Sequence, residues 1–364
     1  MRINQLLIGA NPGDAVTEAA LRLRGALSAI ADAEVYAVHI HPALADQVHR
    51  IAKFPLDGTA EDVLIVHVSI GEPGVVDWVA NCPERVILNY HNITPASYFD
   101  DFEPEFSARL RAGRWDLKSL VRIASGAIAH SQFNARELEA LGMTNVDVSP
   151  PPLHLGRLHD VQPDPAFVEE LSAITDPVVL VVGQILPHKR PELAVQAQHL
   201  LNVNHLPNAR LFVAGMFTNP RYSSALVRHV ESLKLSTVRV MGSVSDAQLA
   251  ALYRRADVLL VPSEHEGFCV PLAEAFSFGV PVVTRDFAAI PETAAGAAIV
   301  LPRTAGAAEL CEALNRVLTD ADLRAELARR GERLADDLSA VATLEGALRS
   351  LARVLERANV EAAP

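Results

Sequence analysis

The sequence predicts an α/β protein made of two doubly wound domains, each a parallel sheet covered on both faces. Short β-branched runs alternate with stretches of helical period along nearly the whole chain. The runs are near-continuously apolar rather than alternating, as strands buried on both faces are. A length of 364 residues is too great for one ordinary core and suits two, at roughly 150 residues each.

QLLIGA, EVYAVHI, VLIVHVSI, RVILNY and GAIAHS are the strands of the first half. Between them, AVTEAALRLRGALSAI and FSARLRAGRWDLKSLVRIA place apolar residues three and four apart, on one face of a helix. Ser131 before QFNARELEAL is read as a helix cap rather than a nucleophile. The stretch SPPPLHLGRLHDVQPDP, Ser149 to Pro165, holds five prolines and no period. Proline fixes its own φ and bars the preceding residue from the helical region, so this stretch is read as a linker. It divides an N-terminal domain over 1–160 from a C-terminal domain over 161–340.

In the second half VVLVVGQ, ARLFVAG, TVRVMG, VLLVPS, VPVVTR and AAIVLP are strands, and helices open near Arg190, Asn219, Asp246 and Pro271. Asp246 is read as an N-cap. Asp320 is read as another cap, not as half of a metal-binding Asp-x-Asp with Asp322. Residues 341–364 form a last helix, expected to pack back on the N-terminal domain and to fray over ANVEAAP.

Composition removes several classes of function. Half the residues are hydrophobic, 21% are charged and mean hydropathy is +0.18, which excludes disorder. No apolar run reaches the roughly 18 residues of a membrane helix. The start MRINQLLIGANPG reads as a first buried strand, too short for a signal-peptide core. Cys82, Cys269 and Cys311 lie too far apart for a disulfide framework or a zinc spacing, which points to the reducing cytoplasm. Net charge is −12, from 32 basic and 44 acidic side chains, the wrong balance for a nucleic-acid binder. Membrane contact is at most peripheral. Arg109, Arg111, Arg114, Lys118 and Arg122 form one basic helix face, most simply a solvated one.

Open α/β sheets bind ligands outside the carboxyl ends of their strands, so site residues are sought there, in a cleft between two facing domains. The richest stretch is VLLVPSEHEGFCVPLAEAFSFGVPVV, Val258 to Val283. A strand ends at Pro262, an acidic loop follows, and a helix opens at Pro271 and stops at Gly279. Free amides at that helix start suit a diphosphate. Glu266 and Glu274, eight residues apart, are suited to accept from paired sugar hydroxyls. The competing reading makes them acids favoured by the helix dipole.

The string E-G-F-C-V-P-L-A-E-A, followed by G-V-P-V-V, resembles the signature of family 4 glycosyltransferases, which have the GT-B fold. It departs at Cys269, where that family usually has Gly. The resemblance extends to VVGQILPHKRPELAVQA, where the family has V-G-R and then a lysine. Here Gln184 replaces the arginine and Lys189 is the lysine, leaving Arg190 or His188 to supply the missing charge. The resemblance implies that Lys189 and the helix-start amides hold the donor diphosphate and that Glu274 holds the ribose. Glu266 then grips the donor sugar, with Gly267, Phe268, Cys269 and Val270 closing around it through their backbone. Gly242, Ser243 and Val244 are the turn that meets the base, and Gly13 the glycine loop near the phosphates. The subgroup segment Y-H-N-I-T-P places His91 on the transferred sugar, with HVSIGEP around His67 matching as well. Asp14, Asn92 and Thr94 fall on the acceptor side, although local turn bonding is the stronger reading for Asn92 and Thr94.

The resemblance therefore implies a retaining, metal-independent transferase without a cofactor. It would move a hexosyl group from a UDP, GDP or dTDP sugar to a small-molecule, glycan or lipid-linked hydroxyl. His91, Glu266 and Lys189 carry the chemistry, by positioning and charge stabilisation. The alternatives are a GT-B epimerase or phosphorylase, and a nucleotide-sugar binding protein without turnover. Cys269 beside the helix-start amides is expected to be the most reactive of the three thiols.

Overall fold

The computed structural model describes residues 1–152, 154–338 and 340–361. Along the first part of the chain run β1 (Ile3–Ala10), α1 (Ala15–Leu27), β2 (Val35–Ile40), β3 (His49–Arg50), β4 (Val63–Val68) and α2 (Val75–Ala80). Then come β5 (Arg85–Tyr90), α3 (Pro104–Ile123), β6 (Gly126–Ala129), α4 (Gln132–Ala140) and β7 (Val146–Val148). These seven strands form one parallel sheet in the order β3-β2-β1-β4-β5-β6-β7. The near-continuous apolar runs are its centre: Leu6, Leu64, Ile65, Ile87 and Leu88 are fully buried.

The second part holds α5 (Arg157–Asp160), α6 (Pro165–Ser172), β8 (Val178–Val182), α7 (Pro191–Asn204), β9 (Arg210–Ala214), α8 (Pro220–Ser232) and β10 (Val238–Gly242). It continues through α9 (Asp246–Arg255), β11 (Val258–Val261), α10 (Val270–Ser277), β12 (Val282–Arg285), α11 (Ile290–Ala294) and β13 (Ile299–Leu301). The helices α12 (Ala307–Thr319), α13 (Ala321–Asp337) and α14 (Ala340–Glu361) close the chain. The second sheet is also parallel, in the order β10-β9-β8-β11-β12-β13.

The chain divides into two units: residues 1–100, 104–152 and 340–361, and residues 101–103 and 154–338. Passage from one to the other thus follows residue 152, not 160, and α14 belongs to the N-terminal unit. There α14 buries Ala347, Leu351 and Val354 on β6, β7 and α1. Its polar contacts fix the register: Asn145 Nδ2 donates to the Val354 carbonyl at 2.8 Å, and Ser350 Oγ to Asp147 at 2.5 Å.

Several local expectations change. The proline-rich stretch is not bare linker, since α5 forms within it and Pro165 opens α6 behind an Asp164 cap. Ser245, not Asp246, caps α9: its Oγ accepts from Gln248 N, and the Gln248 side chain returns to Ser245 N. Ser131 and Asp320 do cap α4 and α13. The short edge strands β3 and β7 have too few residues to show a period. The last three residues of the ANVEAAP segment lie outside the described residues.

Candidate active site

The carboxyl ends of β8 and β9 approach backbone to backbone. Gly183 lies at φ +146°, and a Cβ on Gly215 would fall 1.7 Å from the Gly183 carbonyl oxygen. Glycine alone permits that approach. Beyond it come Gln184 and the tight turn Pro187–Lys189, whose lysine donates to both oxygens of Glu266 at 2.7 and 2.8 Å. Burial works against the ammonium charge, but Glu266 outweighs it and holds Lys189 above its ordinary pKa.

The two neighbours of Lys189 that could supply the charge missing at Gln184 differ in state. Arg190 is held by Glu192 and Glu264, and Arg285 shares the same Glu264 oxygen at 3.3 Å. His188 is buried, and burial together with Lys189 pushes its pKa well below the usual imidazole range. It is neutral at neutral pH and adds no charge.

Glu266 ends the acidic loop after β11, its carbonyl accepting from Ala289 N at 3.2 Å. Gly267 and Phe268 follow, half-buried, with Thr293 Oγ1 donating to the Phe268 carbonyl. Cys269 then stands at φ +80° immediately before α10, whose first residue is Val270. A positive φ explains why glycine suits this position. The expected reactivity of Cys269 is overturned: the residue is 4% exposed, and burial, then Glu266, pushes its thiol well above the usual range. Desolvation outweighs the helix-start amides.

One turn into α10, Glu274 Oε2 accepts from Tyr253 Oη at 2.9 Å, and Oε1 lies 3.8 Å from the Arg157 guanidinium. Burial raises the Glu274 pKa. Arg157 also pairs with Asp246, which accounts for that acid at the start of α9. Gly242, at φ +71°, ends β10 under the ring of Phe217; exposed Ser243 and half-buried Val244 complete the turn.

In the N-terminal unit Gly13 takes φ +73° in the turn after β1. Asp14 is the cap of α1, accepting from Thr17 N and Thr17 Oγ1 at 2.9 Å each. Asn92, at φ +78°, reaches well beyond its own turn: its Nδ2 donates to Asn134 Oδ1 and Glu137 Oε2, both at 2.8 Å. Glu137 also accepts from Tyr90 Oη and Arg114, so Asn92 ties the end of β5 to α4. Thr94 is half-buried two residues on. The basic face of α3 is largely neutralised: Arg109 pairs with Glu72, Arg111 with Asp100 and Arg114 with Glu137. Lys118 stands over the Trp115 ring.

His91 follows β5 directly and forms a cluster with two residues at neighbouring strand ends. Its Nε2 is 2.8 Å from His67 Nδ1, its ring stacks on His67, and its centroid is 4.5 Å from that of His130. Burial lowers all three pKa values, His67 to about 3, His130 to about 4 and His91 well below its ordinary value. His130 closes the run GAIAHS, so the strand-end rule that selects His91 could have selected it too. Tyr253 and Arg157, inconspicuous in the sequence, are the residues that the structure places on Glu274.

The imidazoles set a pH dependence. The unfolded chain takes up protons below about pH 6.5 that the folded cluster refuses, so stability falls as pH falls from there towards 4. Each group contributes up to ~1.4 kcal/mol per pH unit in that window. Urea denaturation at pH 7 and pH 5 should show a loss that His67→Phe reduces. A pH-independent unfolding free energy would contradict the assignment.

Among the described residues, His205, Cys311 and Glu312 bring three potential metal-ligating atoms within 4.8 Å of one another. His205 Nε2 is already 2.9 Å from Glu312 Oε1. No helix among the described residues is long and apolar enough to cross a membrane.

Two parallel-sheet Rossmann-like units with these strand-end residues define a GT-B fold. Solved structures of similar fold include WaaG, a glycosyltransferase involved in lipopolysaccharide biosynthesis (TM-score 0.72, 17% identity, covering 95% of this chain and 98% of that one). HepE of Anabaena, in complex with UDP and glucose, gives 0.74 and 16%, over 97% and 99%. Sucrose-phosphate synthase from Thermosynechococcus elongatus gives 0.76 and 18%, over 98% and 99%. Residues 165–334 match the family of glycosyl transferases group 1. Curated relatives include the D-inositol 3-phosphate glycosyltransferases of Nocardia farcinica and Segniliparus rotundus. The first is 28% identical over 246 residues, 65% of this chain and 54% of the relative. The second is 30% identical over 177 residues, 47% and 39% respectively. The match thus spans about half or less of the relatives' length.

Proposed function

We propose that the chain is a retaining, metal-independent glycosyltransferase that moves a hexosyl group from a nucleoside-diphosphate sugar to an acceptor hydroxyl. The observation that carries this reading is the pairing of Lys189 with Glu266, 77 residues apart, beside the first turn of α10. The family resemblance puts the donor diphosphate on the lysine and the donor sugar on the glutamate. On the same reading Glu274 accepts from the ribose, Gly242 to Val244 meet the base, and the N-terminal unit takes the acceptor. The lysine stabilises the leaving diphosphate. Three free cysteines suit a reducing compartment.

Thermal shifts with UDP, GDP, dTDP and ADP test the donor site, since a ligand at a hundred times its Kd stabilises by about 2.7 kcal/mol. UDP-glucose is the first donor to try, after the ligands of HepE, and a phosphorylated cyclitol the first acceptor, after the name of the curated relatives. No shift with any nucleotide would sink the reading. Binding without turnover for any acceptor would favour a binding protein.

Glu274→Gln separates stability from function. The amide keeps an acceptor for Tyr253 and sheds a buried charge, so stability should hold or rise at neutral pH. The charged contact with ribose is lost, lowering nucleotide affinity about ten- to a hundredfold by calorimetry. Unchanged affinity removes Glu274 from the site.

A further inference from the structure

The histidine cluster carries an ordering of protons that can be followed from one fixed end. Gln5 lies on β1, and its Nε2 donates to the Ala20 carbonyl at 3.0 Å, so its Oε1 is the acceptor facing His67. His67 Nε2, 2.9 Å from that oxygen, must then carry the proton. A neutral His67 has a bare Nδ1, and the atom 2.8 Å from it, His91 Nε2, must be the donor. His91 is thereby protonated on Nε2 and bare on Nδ1. His130 reaches the same condition independently: its Nδ1 donates to the Ser149 carbonyl at 2.9 Å, leaving a bare Nε2.

The atoms left over agree in kind. His130 Nε2 and Asn89 Oδ1 are buried without a hydrogen-bond partner, and both accept. With His91 Nδ1 they make three acceptors around one cluster. A buried acceptor without a donor costs free energy, so a ligand that brings hydrogen-bond donors and no negative charge would suit this cluster.

We propose that Gln5 and His67 lock His91 in the tautomer protonated on Nε2, so that its Nδ1, with His130 beside it, accepts from hydroxyl groups of the bound sugar. Gln5 and His67 are positioning residues; His130 is a further ligand contact. The assignment of the ligand rests on the reading of His91 as a sugar contact, whereas the proton order rests on the hydrogen bonds alone. At this locus the chemistry selects neutral hydroxyls and rejects phosphate or carboxylate oxygens, which would meet only lone pairs.

Two measurements test the two parts separately. Nitrogen-15 NMR of histidine-labelled protein distinguishes protonated from bare ring nitrogens, with His91 and His130 assigned through His91→Gln and His130→Gln. The expected result is a proton on Nε2 of His67 and His91 and on Nδ1 of His130. A proton on His91 Nδ1 overturns the lock, whatever the enzyme transfers. In the transfer assay His67→Leu should lower kcat about tenfold with donor affinity within twofold of wild type. His67→Asn, whose Oδ1 takes the place of Nδ1, should recover most of that loss. Equal losses in the two variants would assign His67 to packing and overturn its positioning role. His130→Phe should raise the acceptor or donor-sugar KM while leaving affinity for the bare nucleoside diphosphate unchanged; an unaltered KM removes His130 from the sugar.

Discussion

Lys189→Met is expected to abolish measurable transfer and to destabilise the C-terminal unit by about 3 kcal/mol, the lower end of the range for breaking a buried pair. The side chains of Lys189 and Glu266 are 21% and 9% exposed, and the lysine donates to both carboxylate oxygens. Removing the cation strands a carboxylate away from water, with Cys269, a neutral thiol, as its neighbour. Removing both charges is different, because no ion is then left without a partner. Lys189→Met combined with Glu266→Gln should therefore regain most of the lost stability and none of the activity. The contrast separates the structural cost of an unpaired charge from the loss of the groups proposed to hold diphosphate and sugar. Urea denaturation of the two variants beside wild type supplies the comparison. If single and double variants are equally stable, the ion pair is not what holds this loop. If the double variant transfers sugar, Lys189 and Glu266 lie outside the reaction.

What was legible in the sequence was whatever local spacing determines. RVILNY is a strand over the same six residues in sequence and structure, because parallel strands buried on both faces are continuous apolar runs. Glu266 and Glu274 stand out because the loop and first turn of α10 are contiguous in the chain. The cap of α9 was also readable, since Ser245 is followed at the third position by Gln248; an adjacent aspartate, equally able to cap, drew the assignment one residue too far.

What was illegible depends on contacts between distant residues. The fate of Arg190 is decided by Glu264, 74 residues on, and nothing near Arg190 announces that carboxylate. Asn92 reaches Asn134 and Glu137 across more than 40 residues, while a short polar side chain after a strand reads as a turn. The thiol of Cys269 illustrates two effects of opposite sign. Helix-start amides are visible in sequence and lower a thiol pKa; burial is tertiary and here raises it further than the amides lower it. The proton order of His91 needs Gln5, His67 and Ala20 together, and is set by a carbonyl on α1 that no motif contains.

Gly215→Ala should be the most damaging of the conservative substitutions in the C-terminal unit. The added Cβ would lie 1.7 Å from the Gly183 carbonyl oxygen, 2.5 Å from its carbon and 3.2 Å from Gln184 N. Those are backbone atoms, so no side-chain rotation relieves the contact. Both chains are held on either side: Gly183 N donates to the Ala214 carbonyl at 3.0 Å, Ile185 N to Met216 at 3.0 Å and Gly215 N to Gly242 at 2.9 Å. Relief requires the end of β8 to move by more than 1 Å, a displacement set by the ~3 Å floor for such contacts. Overpacking of this kind costs about 1–3 kcal/mol, occasionally more, and a rigid backbone clash belongs at the upper end. The same movement carries Gln184 and the Lys189 turn away from Glu266, so nucleotide affinity should fall in whatever fraction remains folded. Gly25→Ala provides the control, since its Cβ meets nothing within 4 Å on α1 and alanine is the better helix former by up to ~1 kcal/mol. Denaturation and calorimetric titration of both variants decide the matter. A Gly215→Ala protein as stable as wild type, or one that is destabilised yet binds nucleotide with undiminished affinity, would show that the packed strand ends do not position the lysine turn.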